Sequence, residues 1–170
     1  VEIGYPEINK VSSTTTLTFH NSNYNSVNNG TISIIDSHSI TRVYKIKNDG
    51  SAVSTQVEFN AGSSRGEAAL NLAQIVESVS GHNGTIAVTN SSNVRYTATA
   101  TASDYSDGVV KFKQLQPGPD GNTTVTTAAS FDNTTSVNAG NFTGGIGFSK
   151  AYNSSNFHGI STTPSDGLYT

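Results

Sequence analysis

Residues 64–79 read SRGEAALNLAQIVESV, and this run decides the fold class because it alone departs from the two-residue alternation that governs the rest of the chain. Ala69, Leu72, Ala73, Val76 and Val79 fall three and four residues apart on one stripe, the spacing of an amphipathic helix. Ser64 followed by Glu67 fits a capping box, and Gly81 supplies a C-terminal stop. The expectation is a single helix over residues 64–79 whose core stripe is Ala69, Leu72, Ala73 and Val76. Its small members Ala69 and Ala73 let it lie close to a sheet, so a large residue at Ala73 would overpack the contact at a cost of about 1–3 kcal/mol.

Outward from the helix the period is two. Leu17 and Phe19 alternate with Thr, Ile32 and Ile34 with Thr and Ser, and Val57 and Phe59 bracket Glu58. Val43 and Tyr44 lead into Lys45-Ile46-Lys47. Ile86 and Val88 follow, then Val94, Tyr96, Ala98 and Ala100, then Val109, Val110, Phe112 and Leu115. Such alternation buries one face and wets the other, as antiparallel sheets do. Five dipeptides, Asn29-Gly30, Asp49-Gly50, Asn83-Gly84, Asp107-Gly108 and Asp120-Gly121, carry the strongest short-range hairpin signal. The sequence therefore predicts an α+β, mainly β fold: an antiparallel sheet or sandwich of hairpins with one packed amphipathic helix and extended terminal arms.

Three segments follow. Residues 1–30 read as an N-terminal arm or first strand, with Pro6 holding VEIGYPEINK extended. Residues 31–129 form the β-rich core containing helix 64–79. Residues 130–170 scatter single apolar side chains among Asn, Ser, Thr and Gly without a sustained period. That pattern suits an extended arm that inserts anchors into grooves on its own or a neighbouring subunit. Starting at Val1 rather than Met, the chain is expected to be a processed product or an excerpt of a longer one.

Composition narrows the function classes. The 170 residues include 18 Asn, 24 Ser and 22 Thr, against 12% charged residues and no Cys, Met or Trp. Charged residues usually supply about 25%, so polar character here comes from amides and hydroxyls. With 34% hydrophobic residues and a net charge of −3, the chain has material for a core and is unlike a disordered polyelectrolyte. Nine basic residues form no dense run, which excludes nucleic acid as an expected partner. Apolar stretches are far shorter than the roughly 20 residues a membrane span needs. Without cysteine there is no disulfide, thiol nucleophile or thiolate metal site, while the compartment stays open.

Chemistry-bearing residues are sparse. His20, His38, His82 and His158 lack zinc-motif spacing, so surface or turn positions are expected and no metal is assigned. Asp104, Asp107 and Asp120 sit where Asp caps turns, with too few acids for a calcium loop or a glycosidase pair. No nucleophile elbow or phosphate loop occurs. Gly144-Gly145-Ile146-Gly147 reads as a tight turn. Seven Asn-x-Ser/Thr sequons, at Asn29, Asn83, Asn90, Asn122, Asn133, Asn141 and Asn153, are about as many as this Ser/Thr content gives by chance. Neither catalysis nor a cofactor is expected.

The order of elements resembles a domain found in structural proteins of tailed bacteriophages. In that pattern a strand and hairpin lead into a helix of the form A-x-x-LA-x-x-I, followed by hairpins, a G-x-x-GN-T turn and a closing F-x-GG. The matching residues are Ala69, Leu72, Ala73 and Val76 on the helix, Gly118, Gly121, Asn122 and Thr123 in the turn, and Phe142, Gly144 and Gly145 at the close. The match spans residues 31–145, with Val76 where isoleucine is more usual. The resemblance implies a virion component, such as a capsid decoration or cement subunit or a tail or fibre subunit, bound to itself and to another virion protein at the particle surface. Aromatic side chains dominate interface energetics, so Tyr5, Phe148, Tyr152, Phe157 and Tyr169 are the expected interface anchors. Two rival readings from composition are a microbial extracellular filament or adhesin subunit joined by strand exchange, and a carbohydrate-binding β-domain using Tyr96 or Tyr105 as a stacking platform.

Overall fold

Thr15, Leu17 and Phe19 point inward from strand β1 (Thr14–Phe19) while Thr14 and Thr16 face solvent, so one alternating hexapeptide already has a dry and a wet side. A computed structural model describes residues 9–20, 28–128 and 137–147. Within them β1 is followed by β2 (Thr31–Ile35), β3 (Thr41–Lys47), β4 (Glu58–Asn60), helix α1 (Arg65–Val76), β5 (Ile86–Thr89), β6 (Val109–Gln114), β7 (Val125–Ala128) and β8 (Val137–Ala139). The described strands form two four-stranded sheets, ordered β5-β6-β1-β8 and β4-β3-β2-β7. One core cluster unites them with the helix: Leu17, Phe19 and Phe112 from the first sheet, Ile32, Tyr44 and Phe59 from the second, and Ala69, Leu72, Ala73 and Val76 from α1. Phe19 and Phe59 meet edge to face, with ring centroids 6.4 Å apart, a geometry that adds about 0.5–1.5 kcal/mol beyond area burial.

Helix α1 starts where its cap predicts. Ser64 Oγ accepts Glu67 N–H at 3.1 Å, and the reciprocal carboxylate bonds fall on the Ser63 N–H and, at 2.8 Å, the Ser63 hydroxyl. Ala69, Leu72, Ala73 and Val76 are all fully buried. Burial of a side chain such as Leu72 is worth about 1.5–3 kcal/mol. At Gly66 an added Cβ would sit 2.6 Å from the Ala102 carbonyl oxygen, so glycine permits the close approach of the helix to the short 3₁₀ turn Ala102–Tyr105.

Six expectations need correction. The helix ends at Val76, three residues early, because the chain folds back over its C-terminus: Gly81 N–H reaches Ser78 O and His82 N–H reaches Val76 O at 2.7 Å. Val79, placed on the buried stripe by its spacing, is therefore 89% exposed. The sheets are not wholly antiparallel, since β4 pairs in parallel with β3 (Ile46 opposite Phe59) after a crossover through residues 48–57. None of the five named dipeptides closes a hairpin. The β2–β3 hairpin turns at Asp36–Ile40 instead, where Asp36 Oδ1 accepts the His38 and Ile40 N–H groups, both at 2.9 Å, and Ser39 takes φ 63°.

Residues 94–100 alternate like a strand but contribute only a bridge from Arg95 to Thr89. Asn90 captures the segment first, accepting Val94 N–H on its side chain at 3.0 Å, with Asn93 at φ 63°. Finally, Leu115 is turned outward and Gln114 inward, because the inward positions of β6 are Val110, Phe112 and Gln114. The described part of the C-terminal segment, residues 137–147, is built into the core rather than extended from it: β8 pairs with β1, and Phe142 is 1% exposed.

Candidate interface at the paired flanks

Both flanks of the chain meet at one place. Val11 and Ile146 form an antiparallel bridge through N–H to carbonyl bonds of 2.9 and 3.0 Å, and Thr14 and Thr143 form a second one. Gly147 lies against Lys10, where an added Cβ would stand 3.3 Å from the lysine Cγ. Lys10 and Gly147 are thus side by side. Val11 and Ile146 are 43% and 57% exposed, an apolar pair at the root of both flanks.

An amide clasp fixes this arrangement. Asn122 Nδ2 donates to Gly145 O at 3.1 Å, and Gly145 N–H donates to Asn122 Oδ1 at 2.8 Å, so one side chain reads both backbone groups of one residue. Phe142 N–H donates to Thr123 O at 2.9 Å, and Gly118 N–H to Val11 O at 3.0 Å. A Cβ at residue 145 would lie 2.3 Å from Gly118 O, so glycine is required by the close approach of two backbones. Gly118, Gly121, Asn122 and Thr123 therefore form one knot with Phe142 and Gly145, although some twenty residues separate them. Gly144-Gly145-Ile146-Gly147 is a paired edge of this knot as well as a turn.

Next to the clasp, a cleft of about 480 Å³ is lined by hydroxyls and amides of Thr14, Thr16, Thr18, Asn138, Asn141 and Thr143. Asn141 is partly committed, since its Oδ1 accepts Val125 N–H on the outer edge of β7 at 3.0 Å. Strand β5 is likewise guarded: Glu77 Oε1 accepts Val88 N–H at 2.8 Å, and Arg95 holds the same carboxylate through two 2.9 Å bonds. Strand edges that carry such side-chain partners are protected against unplanned pairing.

Several titratable groups among the described residues are drawn into the hydrogen bonding and packing of the fold. His82 is buried, with Nε2 3.2 Å from Ile40 O and Nδ1 2.6 Å from the Tyr44 hydroxyl. A carbonyl can only accept, so Nε2 carries the proton and Nδ1 accepts from Tyr44. Burial pushes the His82 pKa down and the Tyr44 pKa up. Glu58, paired with Lys45 at 2.5 Å, is held below the usual carboxylate range by that hydrogen bond. Asp104 is lowered by the Thr101 N–H and hydroxyl, and with Thr101 forms a capping box on the 3₁₀ turn Ala102–Tyr105. Asp107 is lowered too: burial opposes this, and hydrogen bonds from Ser91 and Val109 N–H outweigh it. Tyr105 is buried and its pKa is raised to about 12 by that burial, so it offers no exposed ring face for stacking. Among the described residues no group of three or more His, Asp or Glu is placed to hold a metal, and no helix is long and apolar enough to cross a membrane.

Of the expected interface anchors, Tyr5, Phe148, Tyr152, Phe157 and Tyr169 all lie outside the described residues. Alternation alone did not reveal the buried cross-link at Gln114. Its Oε1 accepts Ser37 N–H at 3.0 Å and its Nε2 donates to Ile35 O at 3.0 Å, tying β6 of one sheet to the end of β2 in the other. The legible signal was a polar residue at an inward position of an otherwise apolar strand. No protein-family model, curated protein or solved structure matches this chain.

Proposed function

We propose that this chain is a virion structural protein, a capsid-decoration or cement subunit or a tail or fibre subunit of tailed-phage type, that binds at subunit junctions and performs no catalysis. The observation that carries this reading is the antiparallel pairing of Val11 with Ile146, which brings the two flanks together beside an exposed apolar pair. A protein that joins neighbours from one end needs such a place: apolar contact area for affinity and nearby backbone groups for register. Weak charge suits this task, because hydrogen bonds and apolar contacts then set partner choice rather than long-range attraction. Such an assembly would be symmetric.

The test is deletion of residues 148–170, which spares the Ile146 bridge and the Asn122 clasp. Light scattering after size-exclusion chromatography and low-resolution images of the native particle are compared with those of the full chain. The expected result is a truncated protein with unchanged circular dichroism that no longer oligomerises or decorates a particle. Normal assembly by the truncated protein would overturn the reading, and a helical polymer of the full chain alone would favour a filament subunit.

A further inference from the structure

The five Asn-Gly and Asp-Gly dipeptides among the described residues, none of which closes a hairpin, have unequal chemistry. In such a dipeptide the glycine nitrogen can attack the preceding side-chain carbonyl carbon, since glycine presents no side chain against the five-membered ring that forms. The reaction needs an unheld side chain, a backbone free to rotate, and an electrophile; a carboxamide serves well and an ionised carboxylate poorly.

The fold removes four of the five. Gly108 is buried, with Phe19 O only 2.3 Å from where its Cβ would stand, and Asp107 Oδ1 is held by Val109 N–H. Gly121 is buried against Ser13 and Gln114. Asp49 is exposed, but Ser51 donates both its N–H and its hydroxyl to Oδ1, which holds the carboxylate ionised by lowering its pKa. Asn29 is fixed by Lys47 Nζ on its Oδ1 at 3.1 Å, and the backbone on both sides is locked to β3 through Asn29 N–H to Ile46 O and Ile46 N–H to Gly30 O, each 2.9 Å.

Asn83-Gly84 differs at the two reacting groups, although the turn is closed around it by Thr85 and Ile86 N–H on His82 O at 3.0 and 3.1 Å. Both residues are exposed at the tip of the turn between α1 and β5, Gly84 takes φ +81°, and no heavy atom comes within 4 Å of its Cβ position. Neither the Asn83 carboxamide nor Gly84 N–H makes a hydrogen bond to a described residue. We propose that Asn83 is a site of spontaneous deamidation in the folded protein. Gly84 N attacks Asn83 Cγ; as the N–Cγ bond forms, the Cγ–Nδ2 bond breaks, and the Gly84 amide proton departs with Nδ2 as ammonia. Solvent water then opens the succinimide to aspartate or isoaspartate.

The product adds one negative charge to a chain carrying −3 and removes the acceptor amide of the Asn83-Gly84-Thr85 sequon. It does so in the loop that contacts the second sheet, where Arg42 Nε reaches Gly81 O at 3.4 Å and His82 Nε2 reaches Ile40 O. An isoaspartate lengthens the backbone at that turn by one methylene, which loosens those contacts. The full-length protein, incubated at mildly alkaline pH in heavy-oxygen water, is followed by peptide mapping and mass spectrometry, with a parallel sample unfolded in urea. The folded protein is expected to label Asn83 several-fold faster than Asn29, the difference to collapse in urea, and Asn83→Gln to abolish the acidic species. Equal labelling of Asn29 and Asn83 in the folded protein, or an Asn83 that reacts only in urea, would overturn the proposal.

Discussion

Replacing Gln114 by leucine tests how much its polar cross-link adds to the apolar contact between the two sheets. Gln114 is fully buried. Its removal takes the side-chain acceptor from Ser37 N–H and one of two donors from Ile35 O, which keeps the Thr123 hydroxyl at 2.5 Å. Depriving one buried donor costs about 1–3 kcal/mol, whereas the half-served carbonyl adds little. Leucine has similar volume, so no large cavity offsets or enlarges that figure. In a domain of this size each kcal/mol shifts Tm by roughly 2–4 °C, so a fall of about 2–12 °C is expected, read by thermal circular dichroism and checked by urea midpoint with unchanged slope. Gln114→Glu should lose more at neutral pH, because it keeps an acceptor for Ser37 but buries a charge and loses the donor to Ile35. The buried glutamate's pKa would be raised, so the folded state would bind its proton first and the variant would recover stability as pH falls. A leucine variant as stable as the parent would show that the Gln114 hydrogen bonds add nothing to the join between the sheets, and would refute the reasoning.

Two further outcomes follow from buried groups. Burial lowers the folded His82 pKa, so below about pH 6.5 the unfolded chain takes up a proton that the folded one refuses. Stability then falls with pH by up to about 1.4 kcal/mol per unit, and urea midpoints between about pH 6.5 and pH 4.5, above the usual carboxylate range, should show a slope that His82→Gln removes. An identical slope in both proteins would sink the assignment, since the exposed His20 and His38 are common to them. Tyr105 has a buried hydroxyl without a hydrogen-bond partner among the described residues; Tyr105→Phe should therefore leave Tm unchanged or raise it by an amount worth up to about 1 kcal/mol, and a marked loss in thermal unfolding would reveal a partner.

The helix was legible because two independent signals coincide at its start: the Ser64 cap and the Ala69-Leu72-Ala73-Val76 stripe. Its end was not, because Val79 keeps the spacing while the contacts that stop the helix, from Gly81 and His82 to the last turn, follow a fold-back that no local pattern encodes. The alternation of β1, β2 and β6 was equally readable, since each buries one face. It misled at residues 94–100, where period two survives in the sequence but Asn90 diverts the backbone into a turn. Asn-Gly and Asp-Gly signal positive φ correctly, as at Gly50, Gly84 and Gly108. Whether such a turn closes a hairpin depends on which strands pair, and that is decided by burial across the whole core. At the candidate interface the glycines and Asn122 stood out in sequence, but their convergence on Gly145 is a tertiary fact.

That convergence changes the meaning of the composition. An excess of Asn, Ser and Thr could be read as solvent-facing filler on a weakly charged chain. In the fold, Asn90, Asn122 and Asn141 each hold backbone groups of distant or turning segments, Ser13 and Thr15 donate to Gly121 O and Gly140 O, and Thr123 donates to Ile35 O. Several of these contacts span more than eighty residues. Short neutral side chains can satisfy buried backbone groups without the desolvation cost that a charge would carry, and they lose less rotamer freedom than Lys, Arg or Glu. The scarcity of charge and the abundance of amides and hydroxyls are then two sides of one construction, in which the described flanks are fastened to the core by neutral clasps.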